Sequence, residues 1–310
     1  MPDTPTVNRR TFLRNLFGLT AALAFGGHAA GAARPGVITR KVPATGERLP
    51  VIGMGSWQTF DVGANRRALE TRIDVLRAFF DNGGAIIDSS PMYGSSEEVI
   101  GYCLKHLKNT NTLFAATKVW TWGKKSGINQ MELSRKLWGI KRFDLMQIHN
   151  MLDWESHLET LKAMKTDGKI RYIGITTSHG RRHEDLLEAL SNHRFDFVQF
   201  TYNILEREAE AQLLPLAKER GTAVIINRPF DGGDLFDRVQ GKRLPGWAKE
   251  IDCQNWAQFF LKFIVSHPSV TCAIPATSRV DHMRENMGAG IGRLPDEKTR
   301  KRMIDHFNSL

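Results

Sequence analysis

The chain has 310 residues, 41% of them hydrophobic and 25% charged, an ordinary globular balance that exceeds a common domain of ~100–200 residues yet fits a single α/β barrel. Its formal net charge of +10 is scattered, in short basic clusters such as Lys124-Lys125, Arg181-Arg182 and 298–302, so a solvated basic surface is expected rather than a nucleic-acid stripe. Cys103, Cys253 and Cys272 are far apart and form no Cys-x-x-Cys pair, and no His-Glu-x-x-His or similar spacing occurs, so neither a disulfide framework nor a metal site is expected.

The N-terminus reads as a leader. In Asn8-Arg9-Arg10-Thr11-Phe12-Leu13-Arg14 a twin arginine precedes an apolar run from Leu16 to Gly27, and Ala30-Gly31-Ala32 follows as a small-residue cleavage site. The run is roughly twelve residues, short of the ~20 that span a bilayer as a helix, so removal is expected and a stable membrane anchor is not. Residues 1–32 are read as a twin-arginine (Tat) signal peptide. The Tat translocase is then a partner during export, and the destination is periplasmic or otherwise extracytoplasmic.

Residues 33–310 read as one domain. A capping hairpin is expected from 38–42 and 49–52 around the turn Ala44-Thr45-Gly46-Glu47, followed by eight β-rich runs at 51–55, 85–88, 113–118, 145–149, 172–176, 197–201, 223–227 and 271–275. Amphipathic stretches lie between them. Residues 65–82 place Leu69, Ile73, Leu76, Phe79 and Phe80 at helical spacing before Gly83-Gly84, and 154–166, 184–190, 208–220 and 256–266 behave alike. This alternation specifies α/β with a parallel sheet; eight units in one domain favour a (β/α)8 TIM barrel over an open doubly wound sheet. The longest irregular piece, 231–252, is expected to serve as a lid or pocket wall.

In a barrel, reactive groups belong at the carboxyl ends of strands. Asp88 stands there after the second strand, Lys118 after the third and His149 after the fourth, with Tyr93 in the loop that follows Asp88. A phenol of pKa about 10 is a weak acid at neutral pH, and an ammonium beside it lowers that value. Asp88 would hold Lys118 in an ion pair, and His149 could donate to a substrate carbonyl. Polarising a carbonyl and protonating its oxygen are two parts of carbonyl reduction; the third is a hydride donor. No strand-Gly-x-Gly-x-x-Gly-helix fingerprint is present, since Gly53-Met54-Gly55-Ser56-Trp57 opens into a loop. After the eighth strand, Ile274-Pro275-Ala276-Thr277-Ser278-Arg279 leads into a helix carrying Glu285-Asn286; small residues, a hydroxyl and an arginine at a helix N-terminus are expected to form a phosphate cradle.

With these residues in view, the chain resembles the aldo-keto reductase superfamily from about Val37 to Ala289. The motifs are "GMGSW", "IIDSSPMYGSSE", "TKVW", "DLMQIHN", "GKIRYIGIT", "VQFTYN" and "IPATSRVDHMREN". The resemblance implies a (β/α)8 barrel that binds NADP(H), with NAD(H) possible, and reduces a small carbonyl substrate as a monomer. It puts Asp88, Tyr93, Lys118 and His149 on the catalytic tetrad, with Tyr93 as general acid and Lys118 lowering its pKa. It implies that Gln199 meets the nicotinamide carboxamide, that Tyr202 stacks on the nicotinamide ring, and that Ser278, Arg279, Glu285 and Asn286 hold the adenosine phosphate. The cofactor would also touch Gly55, Ser56, Trp57, Asp88, Thr176 and Asn227. The chain departs from common members at Thr176-Thr177, at Arg228-Pro229-Phe230 over the pyrophosphate, and at Ala276 and His282 near the 2′-phosphate, where Arg279 would take over.

Trp57, Trp120, Trp122, Met151 and Phe230 are expected to wall an apolar substrate pocket at the barrel mouth. An alternative of another class is a nicotinamide-binding redox sensor or regulatory subunit that keeps the tetrad and turns over slowly.

Overall fold

The structure is a computed structural model and describes residues 35–310; the leader expected over residues 1–32 lies outside the described residues. The chain begins with an antiparallel hairpin, β1 (Thr39–Lys41) and β2 (Arg48–Pro50), paired so that Thr39 faces Pro50. Eight parallel strands follow: β3 (Met54–Gly55), β4 (Ile86–Asp88), β5 (Phe114–Val119), β6 (Phe143–Ile148), β7 (Ile170–Thr176), β8 (Phe197–Thr201), β9 (Ala223–Asn227) and β10 (Cys272–Ala273). Each pairs with its neighbour in chain order. Bridges Ile52 to Ala273 and Gly55 to Ala276 join the first strand to the last and close the barrel. Gly55 is required there, because a Cβ would lie 2.9 Å from the Ile274 carbonyl oxygen.

The helices are α1 (Arg66–Asp81), α2 (Ser96–His106), α3 (Lys124–Trp138), α4 (Trp154–Thr166), α5 (His183–Asn192), α6 (Leu213–Arg220), α7 (Asp234–Arg238), α8 (Trp256–Val265), α9 (Val280–Gly288) and α10 (Glu297–Asn308). Asn65 starts α1 by accepting the Ala68 N–H at 3.0 Å, and Asn255 starts α8 by accepting that of Gln258 at 2.9 Å. Two expectations are corrected. The single helix expected over 208–220 is a 3₁₀ turn, Glu208–Glu210, followed by α6, because Pro215 is tolerated only in a first helical turn. The piece 231–252 is not irregular: it holds α7 and two 3₁₀ turns, Asp231–Gly233 and Gly246–Ile251.

Two apolar clusters follow from the strand period of two. One set of side chains packs outward under the helices. The other fills the lumen with Ile86, Phe114, Leu145, Tyr172, Phe197 and Ile225, and the hairpin adds Val42 and Leu49 as its floor. Continuing the inward register toward the carboxyl ends brings Asp88, Lys118, Gln147, Thr176, Gln199 and Asn227 to the opposite rim. Among the described residues no helix is long and apolar enough to cross a membrane.

Candidate active site

Lys118, the penultimate residue of β5, is fully buried. Its Nζ donates to Asp88 Oδ2 in a short ion pair and to the Ser89 carbonyl oxygen at 2.8 Å. The other Asp88 oxygen accepts Gln147 Nε2 at 2.7 Å and Gln199 Nε2 at 3.2 Å. Gln199 in turn accepts Asn227 Nδ2 at 3.4 Å. The carboxylate thus has donors on both oxygens, as a buried charge requires. Gln147 reaches it because β7 carries Gly174 opposite: a Cβ there would lie 2.7 Å from Gln147 Cγ.

Tyr93 comes from the turn after β4, where its N–H is bonded to the Ser90 carbonyl at 3.0 Å. Gly94 continues the turn at φ +58, and a side chain there would collide with Asp61, whose carboxylate accepts the Ser95 N–H at 2.9 Å. Lys118 Nζ lies 5.2 Å from the Tyr93 ring centroid, and the His149 ring meets Tyr93 edge-on at 5.6 Å. Ser90 Oγ lies 2.8 Å from His149 Nδ1.

Burial raises the Tyr93 phenol above its ordinary value, and Lys118 only partly pulls it back. The ammonium acts in the expected direction, lowering the phenol, but desolvation outweighs it. Burial alone would lower Lys118, yet Asp88 and Tyr93 reverse the sign and hold it above its ordinary value. Burial, helped by Lys118, pushes His149 down to about 2. At neutral pH the rim therefore holds a neutral imidazole, a protonated phenol and an ammonium.

These groups open into a cavity of about 300 Å³ whose wall includes Asp88, Tyr93 and His149. Of the residues expected at the cofactor, Gly55, Ser56, Trp57, Thr176, Gln199, Asn227, Arg228, Pro229, Phe230 and Ala276 line it. A second cavity of about 340 Å³ shares Phe230, Phe236 and Ala276 with the first and adds His282, Glu285 and Asn286. The two adjoin across Phe230, Phe236 and Ala276, and their linings together reach from Asp88 at the end of β4 to His282, Glu285 and Asn286 on α9. Two polar atoms at the first cavity are buried without a partner, Thr177 Oγ1 and Arg228 Nε, which suits a polar ligand lying against them.

Other expected residues fall elsewhere. Tyr202 does not face the cavity: Thr201 turns inward to Asn227, so Tyr202 points outward, takes the Arg300 guanidinium at 2.6 Å and packs on Phe263. Met151 is in the outward core cluster, not the pocket. Trp120, 41% exposed with its ring 6.4 Å from His149, and Trp122, 69% exposed, do not line the cavity. Ser278 and Arg279 line neither cavity, and Arg279 is engaged by Asp281 through Nε at 3.0 Å and a second, shorter contact. Residue patterns alone did not mark Gln147, Ser90, His179, Phe236, Asn255 or Trp256. For Gln147 a signal existed, since it lies two residues before His149 and shares its inward register. Among the described residues no cluster of His, Cys, Asp or Glu could hold a metal ion.

A closed eight-stranded barrel with buried acid, amine, imidazole and phenol on its carboxyl rim defines a class of oxidoreductase barrels, and sequence comparison agrees. Residues 51–303 match the Aldo/keto reductase family, and the chain belongs to it. Methylglyoxal reductase YeaE of Escherichia coli (strain K12) is 25% identical over 245 residues, covering 77% of this chain and 84% of that protein. An NADH-specific methylglyoxal reductase of the same organism is 25% identical over 68% of this chain and 73% of its own length. The fold is shared with an aldo-keto reductase from Klebsiella pneumoniae in complex with NADPH, at a TM-score of 0.72 and 23% identity, over 87% of this chain and 95% of that one.

Proposed function

We propose that the protein reduces a small aldehyde or ketone to an alcohol, taking hydride from a nicotinamide dinucleotide. The observation that carries the proposal is the buried Lys118–Asp88 pair beneath Tyr93, beside a neutral His149, on the wall of the cavity. The bound cofactor supplies the hydride. Gln199, Asn227 and Thr177 would hold its carboxamide end, Arg228 its phosphates, and His282, Glu285 and Asn286 its adenosine. His149 donates a hydrogen bond to the carbonyl oxygen, and Tyr93 gives its proton to that oxygen as the alkoxide develops. Lys118 stabilises the phenolate left behind, and Asp88 keeps the ammonium in place. Arg279 is exposed and held by Asp281 in a surface pair, a weak contact that a 2′-phosphate can displace, so NADP(H) is the expected cofactor, with NAD(H) also admitted.

Methylglyoxal is the first substrate to test, given the activity named for the relatives. Following NADPH or NADH oxidation with methylglyoxal and short aldehydes should show multiple turnover, and Tyr93→Phe should lower it about 10²–10⁴-fold. Unchanged fast turnover in Tyr93→Phe would sink the mechanism. The second reading is a slow nicotinamide-binding sensor that keeps the same four residues. It predicts a single slow turnover with the cofactor retained through gel filtration.

Export by the Tat route, with residues 1–32 removed and 33–310 as the mature barrel, is part of the proposal. It is supported by the Arg9-Arg10 pair, the apolar run and Ala30-Gly31-Ala32. A folded, cofactor-loaded protein is the cargo this route suits. Replacing both arginines by lysine should retain the protein in the cytoplasm in cell fractionation.

A further inference from the structure

Ser90 lies two residues after Asp88 and is fully buried. Its backbone carbonyl accepts the Tyr93 N–H at 3.0 Å, which closes the turn that presents the phenol. Its side chain faces the other way in function: Oγ accepts the Met92 N–H at 3.2 Å and lies 2.8 Å from His149 Nδ1. A serine hydroxyl carries one proton. If the imidazole donated from Nδ1, that hydroxyl proton would be buried with no acceptor among its contacts. If Ser90 donates to Nδ1, every group in the chain Met92 N–H, Ser90 Oγ and His149 Nδ1 is satisfied. Nδ1 must then offer its lone pair, which leaves the single proton of a neutral imidazole on Nε2.

We propose that Ser90 is a positioning residue that fixes His149 as the Nε2–H tautomer, the form able to donate to a substrate carbonyl. One residue then sets both working groups, the phenol through its backbone and the imidazole through its hydroxyl. The catalytic consequence rests on the carbonyl-reductase reading, whereas the tautomer is a property of the protein without substrate.

The two are separated by measuring them independently. Long-range proton–nitrogen correlation spectra of histidine-labelled protein, with His149 assigned by its loss in His149→Gln, report which ring nitrogen carries the proton. The wild type should show Nε2–H. Ser90→Ala should give a mixture of tautomers and lower kcat about tenfold with cofactor Kd unchanged, while Ser90→Thr should restore the pattern and kcat to within about threefold. A wild-type Nδ1–H pattern overturns the proposal even if Ser90→Ala does not fold, as does a Ser90→Ala protein with unchanged tautomer and kcat. A wild type that shows Nε2–H but turns over no carbonyl sinks the reductase reading and leaves the tautomer assignment standing.

Discussion

The two ends of the barrel treat polar groups in opposite ways. At the hairpin end the lumen is apolar, and the charges stand outside it: Arg171 bridges Glu47 at 2.5 Å and Asp144 at 2.6 Å, and Tyr172 donates to Glu47 at 2.6 Å, all partly open to solvent. At the rim the same inward register, continued along the strands, puts Asp88 and Lys118 inside the barrel with almost no exposure. A well-packed apolar pair would serve stability as well as or better than a buried ion pair. The rim therefore departs from what packing alone favours, and such departures concentrate where chemistry is done.

The sharpest break in this comparison is Lys118→Met. It leaves the Asp88 carboxylate buried without its cation, which should cost about 3–5 kcal/mol in urea unfolding as well as turnover. The double variant Lys118→Met with Asp88→Asn removes both charges and should regain most of that stability while staying inactive. If the double variant were as unstable as the single one, the pair would be a structural necessity rather than a concession to function.

His149 gives a smaller, pH-dependent effect. Its folded pKa is depressed to about 2, while the unfolded chain takes up that proton near pH 6.5. Below about pH 6.5 the unfolded state thus binds a proton that the folded state refuses, so stability is present above that pH and falls as the medium is acidified, by at most about 1.4 kcal/mol per pH unit. His149→Gln should flatten the stability profile between about pH 6 and 5, measured by denaturant unfolding at each pH.

The strand ends were the most legible part of the molecule, because parallel strands buried on both faces give short β-branched runs that stop at a polar residue. Asp88, Lys118 and His149 were visible for that reason, and the structure brings them together with Tyr93. Helices α3 and α10 were not marked by their apolar spacing. The buried face of α3 is Gly127, Met131, Ser134 and Trp138, half of it small or polar, and α10 buries only Met303 and Phe307. Tyr202 misled because an aromatic at a strand end has two faces to choose from, and only the register, set by inward Thr201, decides between them. The net rise of the Tyr93 pKa was hidden too, since it depends on how deeply the phenol is buried, which residue identity does not report.

Glu47→Gln probes the quieter end. Glu47 receives both Arg171 and the Tyr172 hydroxyl, and Thr45 Oγ1 lies 2.8 Å from the same hydroxyl. Losing the charge while keeping an amide of similar size should leave the floor packed and cost about 1–2 kcal/mol, as expected for a charged hydrogen bond that solvent partly reaches. Turnover and cofactor affinity should stay within about twofold of wild type, because the lumen between floor and rim is filled by rigidly packed apolar side chains. A large loss of kcat in Glu47→Gln at unchanged stability would show that the two ends are coupled, and that the hairpin does more than close the barrel.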